Sequence, residues 1–171
     1  MAGDRVFFVY SAVFEDKNAG IDKTVVFSDF SMVNALGLDA GMGECGYEDV
    51  APENKAYGYL QSAVGYGLIE DGKVFGPDSV LTRAQAMAML ARAMNVTELN
   101  PSLSEAEAEA LLAGYSDADR IPQSDRAGVA ACMQAGVMLD DMTDNIAPDQ
   151  LLTNAEAAVL LEKFLRKSNL I

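Results

Sequence analysis

Apolar residues recur at helical spacing along most of the chain. Ala56, Leu60, Ala63 and Gly67 follow one another at intervals of three and four, from about Glu53. This predicts a helix that Gly67 ends, because glycine reaches the left-handed conformation at least cost. Met87, Leu90, Ala91 and Met94 form an i, i+3, i+4, i+7 stripe behind Thr82, and Ala158, Leu161 and Leu165 form a similar stripe behind Thr153. Ser104-Glu105-Ala106-Glu107 opens an alanine-rich, acidic helix running to about Ala113. The amino-terminal stretch follows another pattern. Val6-Phe7-Phe8-Val9-Tyr10 through Phe14 and Thr24-Val25-Val26-Phe27 are β-branched and aromatic, and the turn-forming Glu15-Asp16-Lys17-Asn18-Ala19-Gly20 lies between them, which predicts a β-hairpin. Residues 31–46 are glycine-rich and read as a connector.

From Tyr47 the chain repeats itself. Tyr47-Glu48-Asp49 returns as Tyr115-Ser116-Asp117, and Gly67-Leu68-Ile69 as Gly136-Val137-Met138. Pro77-Asp78 followed by Leu81-Thr82-Arg83-Ala84-Gln85 returns as Pro148-Asp149 followed by Leu152-Thr153-Asn154-Ala155-Glu156. The offset drifts from 68 to 71 positions, as short loop insertions produce. The expected fold is therefore mainly α: repeated helix-loop-helix units packed as a helical bundle, with the hairpin as an appendage. Its parts are a hairpin and connector over 1–46, a first repeat over 47–97, a connecting helix over 98–114 and a second repeat over 115–171. Phe27-Ser28-Asp29 looks like the opening of a third unit, but the interval to Tyr47 is too short for two helices.

Composition then narrows the chemistry. The 171 residues are 50% hydrophobic and 22% charged, a globular composition long enough for one domain with a small appendage. Twelve basic against 26 acidic residues give a net charge of −14, which speaks against nucleic acid and against anionic membrane surfaces as partners. The absence of histidine removes Ser-His and Cys-His nucleophile pairs and imidazole-based zinc sites; a carboxylate-pair glycosidase is left open, but the acidic residues are too numerous for any pair to stand out, and neither catalytic residues nor a cofactor are expected. Cys45 and Cys132 form no CxxC motif and read either as one bridge or as two isolated thiols. No metal site is expected. Asp16-x-Asn18-x-Gly20-x-Asp22 lacks the acidic twelfth position of a calcium loop, where Phe27 stands, and Asp140-Asp141-Met142-Thr143-Asp144-Asn145 reads as a solvated acidic loop. No apolar run is long enough to span a bilayer. Met-Ala-Gly-Asp-Arg lacks the features of a secretion signal, so the chain is expected to be either intracellular or a piece whose signal lies elsewhere.

The candidate chemistry centres on the start of the second helix in each unit. Thr82 with Gln85, and Thr153 with Glu156, have capping-box spacing, which accounts for them without a ligand. Arg83 is harder to account for. A cation in a first helical turn is disfavoured by roughly a few tenths of a kcal/mol. Either it joins the helix N–H groups in receiving a carboxylate or phosphate, or it pairs with an acidic neighbour.

The aromatic-x-Asp opening, the helix ending Gly-Leu-Ile, the loop closing Phe-Gly-Pro-Asp and the Leu-Thr-Arg-Ala-Gln that follows, in this order, resemble the S-layer homology module of bacterial surface proteins. The resemblance covers Tyr47 to about Met94, and in weaker form Tyr115 to about Leu165. It implies units packed around a pseudo-threefold axis and an extracellular location at the bacterial cell surface or wall. It also implies a non-catalytic anchor that binds an anionic, pyruvylated secondary cell-wall polysaccharide. The ligand residues it implies are Arg83, Thr82, Gln85, Asp49 and Gly67. The matching second site, Asn154, Glu156 and Asp117, is expected to be degenerate because Asn154 stands where the guanidinium would be. Asp49 and Asp117 are equally expected as turn formers, Gly67 and Gly136 as helix terminators, and Tyr57, Tyr59 and Tyr66 as packing. The competing function is a protein-protein interaction or self-assembly module, in which a homo-oligomer or a partner chain supplies a third repeat.

Overall fold

The structure is a computed structural model that describes residues 44–54, 57–77, 79–97, 99 and 101–171. The hairpin expected near the amino terminus, and the Phe27-Ser28-Asp29 motif, lie outside the described residues. What is described is mainly helical: α1 (Tyr57–Gly65), α2 (Arg83–Met94), α3 (Glu105–Leu112), a 3-10 turn (Ala118–Arg120), α4 (Gln123–Ala135) and α5 (Asn154–Lys167). Extended pairing among the described residues is limited to an isolated antiparallel bridge between Thr82 and Leu151.

The capping residues set where three helices start. Thr82 Oγ1 accepts the Gln85 N–H (3.3 Å) while Gln85 Oε1 accepts the Thr82 N–H (3.0 Å). Thr153 with Glu156 and Ser104 with Glu107 make the same reciprocal pair on α5 and α3. Each box satisfies two backbone donors that the first turn would otherwise leave without partners. Gly67 and Gly136 follow α1 and α4 in the left-handed conformation, at φ of 70° and 71°.

Helix α2 is the centre of the body. Ten of its twelve residues are buried, including the whole predicted stripe of Met87, Leu90, Ala91 and Met94. Five of the buried residues are alanines, so α4 can pack closely along α2. At the crossing Gly128 faces Ala88, and a Cβ on Gly128 would fall 2.6 Å from the Ala88 Cα. Helix α3 packs on α4, and α5 meets α2 chiefly near the starts of both helices.

The stripe of α5 differs from the expected one. Its buried positions are Ala157, Leu160, Phe164 and Leu165, whereas Ala158 is exposed and Leu161 half-buried. Phe164 is wholly buried and is the largest such side chain among the described residues. Orienting that ring inward turns the helix by one residue, and Leu165 lies on the border of both stripes.

Equivalent positions of the two units carry the same local devices. Asp49 accepts the N–H groups of Phe75 (2.9 Å) and Gly76 (2.7 Å), and Asp117 accepts those of Ile146 (2.9 Å) and Ala147 (2.8 Å). Both carboxylates clamp the loop that leads to the second helix. Gly76 stands at φ of 70°, and its counterpart Ala147 holds a φ of 54° without glycine's freedom. A basic side chain on each second helix binds the stretch just past the glycine turn. Arg92 Nε donates to the Leu68 carbonyl (2.8 Å), and Lys163 Nζ donates to the Met138 carbonyl (2.7 Å).

Candidate functional site

The first turn of α2 is closed by the second unit. The Arg83 N–H donates to the Gln150 carbonyl (2.9 Å) and the Ala84 N–H to the Pro148 carbonyl (3.2 Å), while the Leu152 N–H returns a bond to the Leu81 carbonyl (2.8 Å). The backbone donors proposed for an anion are thus occupied by carbonyls of the same chain.

The guanidinium is occupied as well. Arg83 Nε donates to Glu156 Oε1 (3.2 Å), Nη2 donates to the same oxygen and to Asp141 Oδ2 (2.8 Å), and Nη1 reaches the Ile146 carbonyl (3.4 Å). The Arg83 side chain is only 4% exposed, against 17% for Glu156 and 61% for Asp141. Of the two alternatives open in the sequence, internal pairing is the one the geometry contains. An anion reaching Arg83 in this arrangement would have to compete with Glu156 and Asp141. At a net charge of −14 a desolvated guanidinium finds carboxylates of its own chain, and two of them converge on it here.

The electrostatics follow from this geometry. Burial disfavours the Arg83 cation, but the hydrogen bonds and charges of Glu156 and Asp141 outweigh burial and hold its pKa above the ordinary arginine value. Burial likewise works against the Glu156 carboxylate. The Thr153 N–H, Arg83 and the Thr153 hydroxyl outweigh it, so Glu156 titrates below the usual carboxylate range. The seam between the units therefore holds a charged cluster of one cation and two anions.

The remaining expected site residues are arranged differently. Thr82 and Gln85 cap α2, with Thr82 also bridged to Leu151. Asp49 is held below its ordinary pKa by the N–H groups of Phe75 and Gly76, and together with Gly67 it shapes turns of the first unit rather than the Arg83 cluster. Asn154 and Gln85 occupy the positions reciprocal to Arg83 and Glu156, so the charged pair exists in one direction only. Glu156, expected in a degenerate second site, is instead the principal partner of Arg83. Asp117 clamps its own loop. In the acidic loop, Asp140 pairs with Lys163 and Asp141 with Arg83.

Asp141, Arg92 and Lys163 are the residues that sequence reasoning missed. Both cysteines are free: Cys45 is half-buried, while Cys132 is buried on α4, with its thiol donating to the Met87 carbonyl (3.2 Å) and its pKa pushed up to about 12 by burial. Tyr57, Tyr59 and Tyr66 pack half-buried against the core. Among the described residues no group of three or more His, Cys, Asp or Glu could hold a metal, and no helix is long and apolar enough to cross a membrane.

A capped helix-loop-helix unit fixed by an aspartate clamp is a structural module that positions loops. Residues 46–87 match the family model of the S-layer homology domain, from the residue before Tyr47 into the first turns of α2. The chain carries an S-layer homology domain over that stretch, about a quarter of its length, and domains of this kind serve as cell-surface anchors that bind cell-wall polysaccharide. No curated protein matches the chain.

Proposed function

We propose that the chain is a non-catalytic anchor that holds its parent protein at a bacterial cell wall by binding a secondary wall polysaccharide. The family match over residues 46–87 carries this reading. The repeated clamp, glycine turn and capping box support treating residues 115–171 as a second, diverged copy of the unit. In this reading Arg83 is a seam residue. An anionic pyruvate substituent would reach its guanidinium only by displacing Glu156 and Asp141, so recognition by the resting protein takes place elsewhere on the module. Co-sedimentation of the full chain with purified bacterial wall carrying its polysaccharide tests the anchor. Binding that disappears when the polysaccharide is stripped is the expected result, and no binding to the intact wall overturns the reading.

One observation favours a second function, an interaction or assembly module. The first turn of α2 and its arginine serve contacts between units, as expected if the repeats have been specialised for protein contacts. Light scattering that gives a stable dimer or trimer, together with failure to bind wall, would select it.

A further inference from the structure

The loop joining the two helices of the first unit borders an open groove of about 330 Å³. That volume is at the small end of ligand pockets, which run from about 300 to 1,000 Å³. Tyr47 and Phe75 form an aromatic wall, with ring centroids 5.3 Å apart and planes tilted by 53°, and Leu81 and Met89 add apolar surface. The carboxylates of Glu70 and Asp71 also line it. Asp71 is exposed and oriented by its own loop: Oδ1 accepts the N–H groups of Gly46 (3.1 Å) and Gly72 (2.9 Å), which leaves Oδ2 without a donor among the described residues. Arg92 stands beside Glu70. Its Nη1 lies 4.0 Å from Glu70 Oε1, a long ion pair, while its Nε is committed to the Leu68 carbonyl. That pair engages Glu70 alone, and Lys73 pairs with Glu48, so Asp71 keeps a charge that no cation among the described residues meets.

The second unit shows what such a loop does with its carboxylates. Asp140, the counterpart of Asp71, is bound by Lys163, which stands where the first unit has Arg92. Asp141 beside it binds the guanidinium of Arg83, which also donates to the carbonyl of Ile146, the counterpart of Phe75. Arg83 comes from the other unit. Exchanging the units puts Asn154 in its place, and Asn154 carries no charge. Arg92 for its part reaches Glu70 rather than Asp71. The first-unit loop thus repeats the acceptors of a guanidinium-holding loop with no arginine of its own chain upon them among the described residues. It adds an aromatic face and open space where the second unit has the wholly buried Ile146.

We infer that this groove is a docking site for an arginine side chain of a partner protein. The guanidinium donates to Asp71 Oδ2, and a hydrogen bond between charged groups is the stronger kind. It also lies against the Tyr47 and Phe75 pair, where ring faces attract a cation. The aliphatic stem packs on Leu81 and Met89, as long basic side chains do on apolar surface. Lysine suits the groove less, because its ammonium offers no planar fork and does not stack. Charge selects the same partner at longer range, since a chain of net charge −14 attracts a basic protein surface. The inference goes beyond the anchoring function and does not depend on it.

The test is an NMR titration of the full chain with a capped glycine-serine peptide carrying one central arginine, and with the same peptide carrying citrulline, its uncharged isostere. The arginine peptide is expected to give saturable shifts of the Gly46, Gly72 and Phe75 amide resonances and to bind about fivefold tighter than the citrulline peptide. Asp71→Asn keeps the oxygen that accepts the two N–H groups and should weaken binding about fivefold, and Phe75→Leu about threefold. Glu105→Gln removes the same charge from the exposed face of α3 and should leave the affinity unchanged. Near-equal binding of the two peptides overturns the docking site. So do unchanged affinities in both groove variants, an equal loss in Asp71→Asn and Glu105→Gln, or shifts confined to other acidic surfaces. The titration contains no polysaccharide, so its failure leaves the wall anchor standing.

Discussion

Replacing Arg83 by methionine is the sharpest perturbation of the seam. It keeps most of the buried aliphatic volume and removes the charge, leaving Glu156 facing Asp141 with no cation between them. Removing one partner of a fully buried pair costs about 3–5 kcal/mol. Glu156 is 17% exposed and keeps its bonds to Thr153, so part of its desolvation is relieved. We therefore expect a loss of about 2–3 kcal/mol. At about 2–4 °C per kcal/mol for a domain of this size, Tm should fall by roughly 5–10 °C. Glu156→Gln keeps the cap oxygen and removes the charge, so in an Arg83→Met/Glu156→Gln double variant the second change should cost less than it does alone. Urea unfolding of the four proteins gives the coupling energy directly. A single variant within about 0.5 kcal/mol of the parent, or strictly additive effects, would refute the role given to the seam.

Four further outcomes follow from other parts of the fold. Gly128→Ala forces a methyl group into the backbone of α2 at Ala88, and should cost about 1–3 kcal/mol by denaturant melt, where a neutral result would contradict the close crossing. Ala147→Gly relieves a left-handed alanine and should stabilise by about 0.5–1 kcal/mol in the same assay, with destabilisation counting against it. Because Glu156 and Asp49 both titrate below the ordinary carboxylate values, the stability they contribute is complete above the unfolded carboxylate range and is lost as pH falls through their lower folded values, so Tm should drop on acidification from about pH 4.5 downward and a flat profile would contradict the clamps. Cys132, buried and with its pKa raised to about 12, should resist thiol reagents at pH 8 until the chain is denatured, and rapid labelling of the native protein at that residue would contradict its burial.

Much of the fold was legible in local sequence because its devices are local. Thr82 and Gln85, Ser104 and Glu107, and Thr153 and Glu156 each declare a helix start within four residues, and Gly67 and Gly136 declare helix ends. The repeat pointed to Asp49 and Asp117 as equivalent turn formers. The seam was not legible, because Glu156 lies 73 positions from Arg83 and Asp141 lies 58 away, and no periodicity links them. A signal did exist in the exchange between the copies: arginine with glutamine in one, asparagine with glutamate in the other, which is what one charged contact between related units leaves behind. The register of α5 was missed because two adjacent stripes share Leu165, and the choice between them depends on where Phe164 packs.

Affinity of wall polysaccharide for the intact chain, compared with that for the folded Arg83→Met variant, tests most directly whether this arginine closes the seam or receives the ligand. The account predicts the same dissociation constant for both, since the guanidinium is already engaged by Glu156 and Asp141. A variant that stays folded and monomeric yet no longer binds the polymer would place recognition at Arg83 after all.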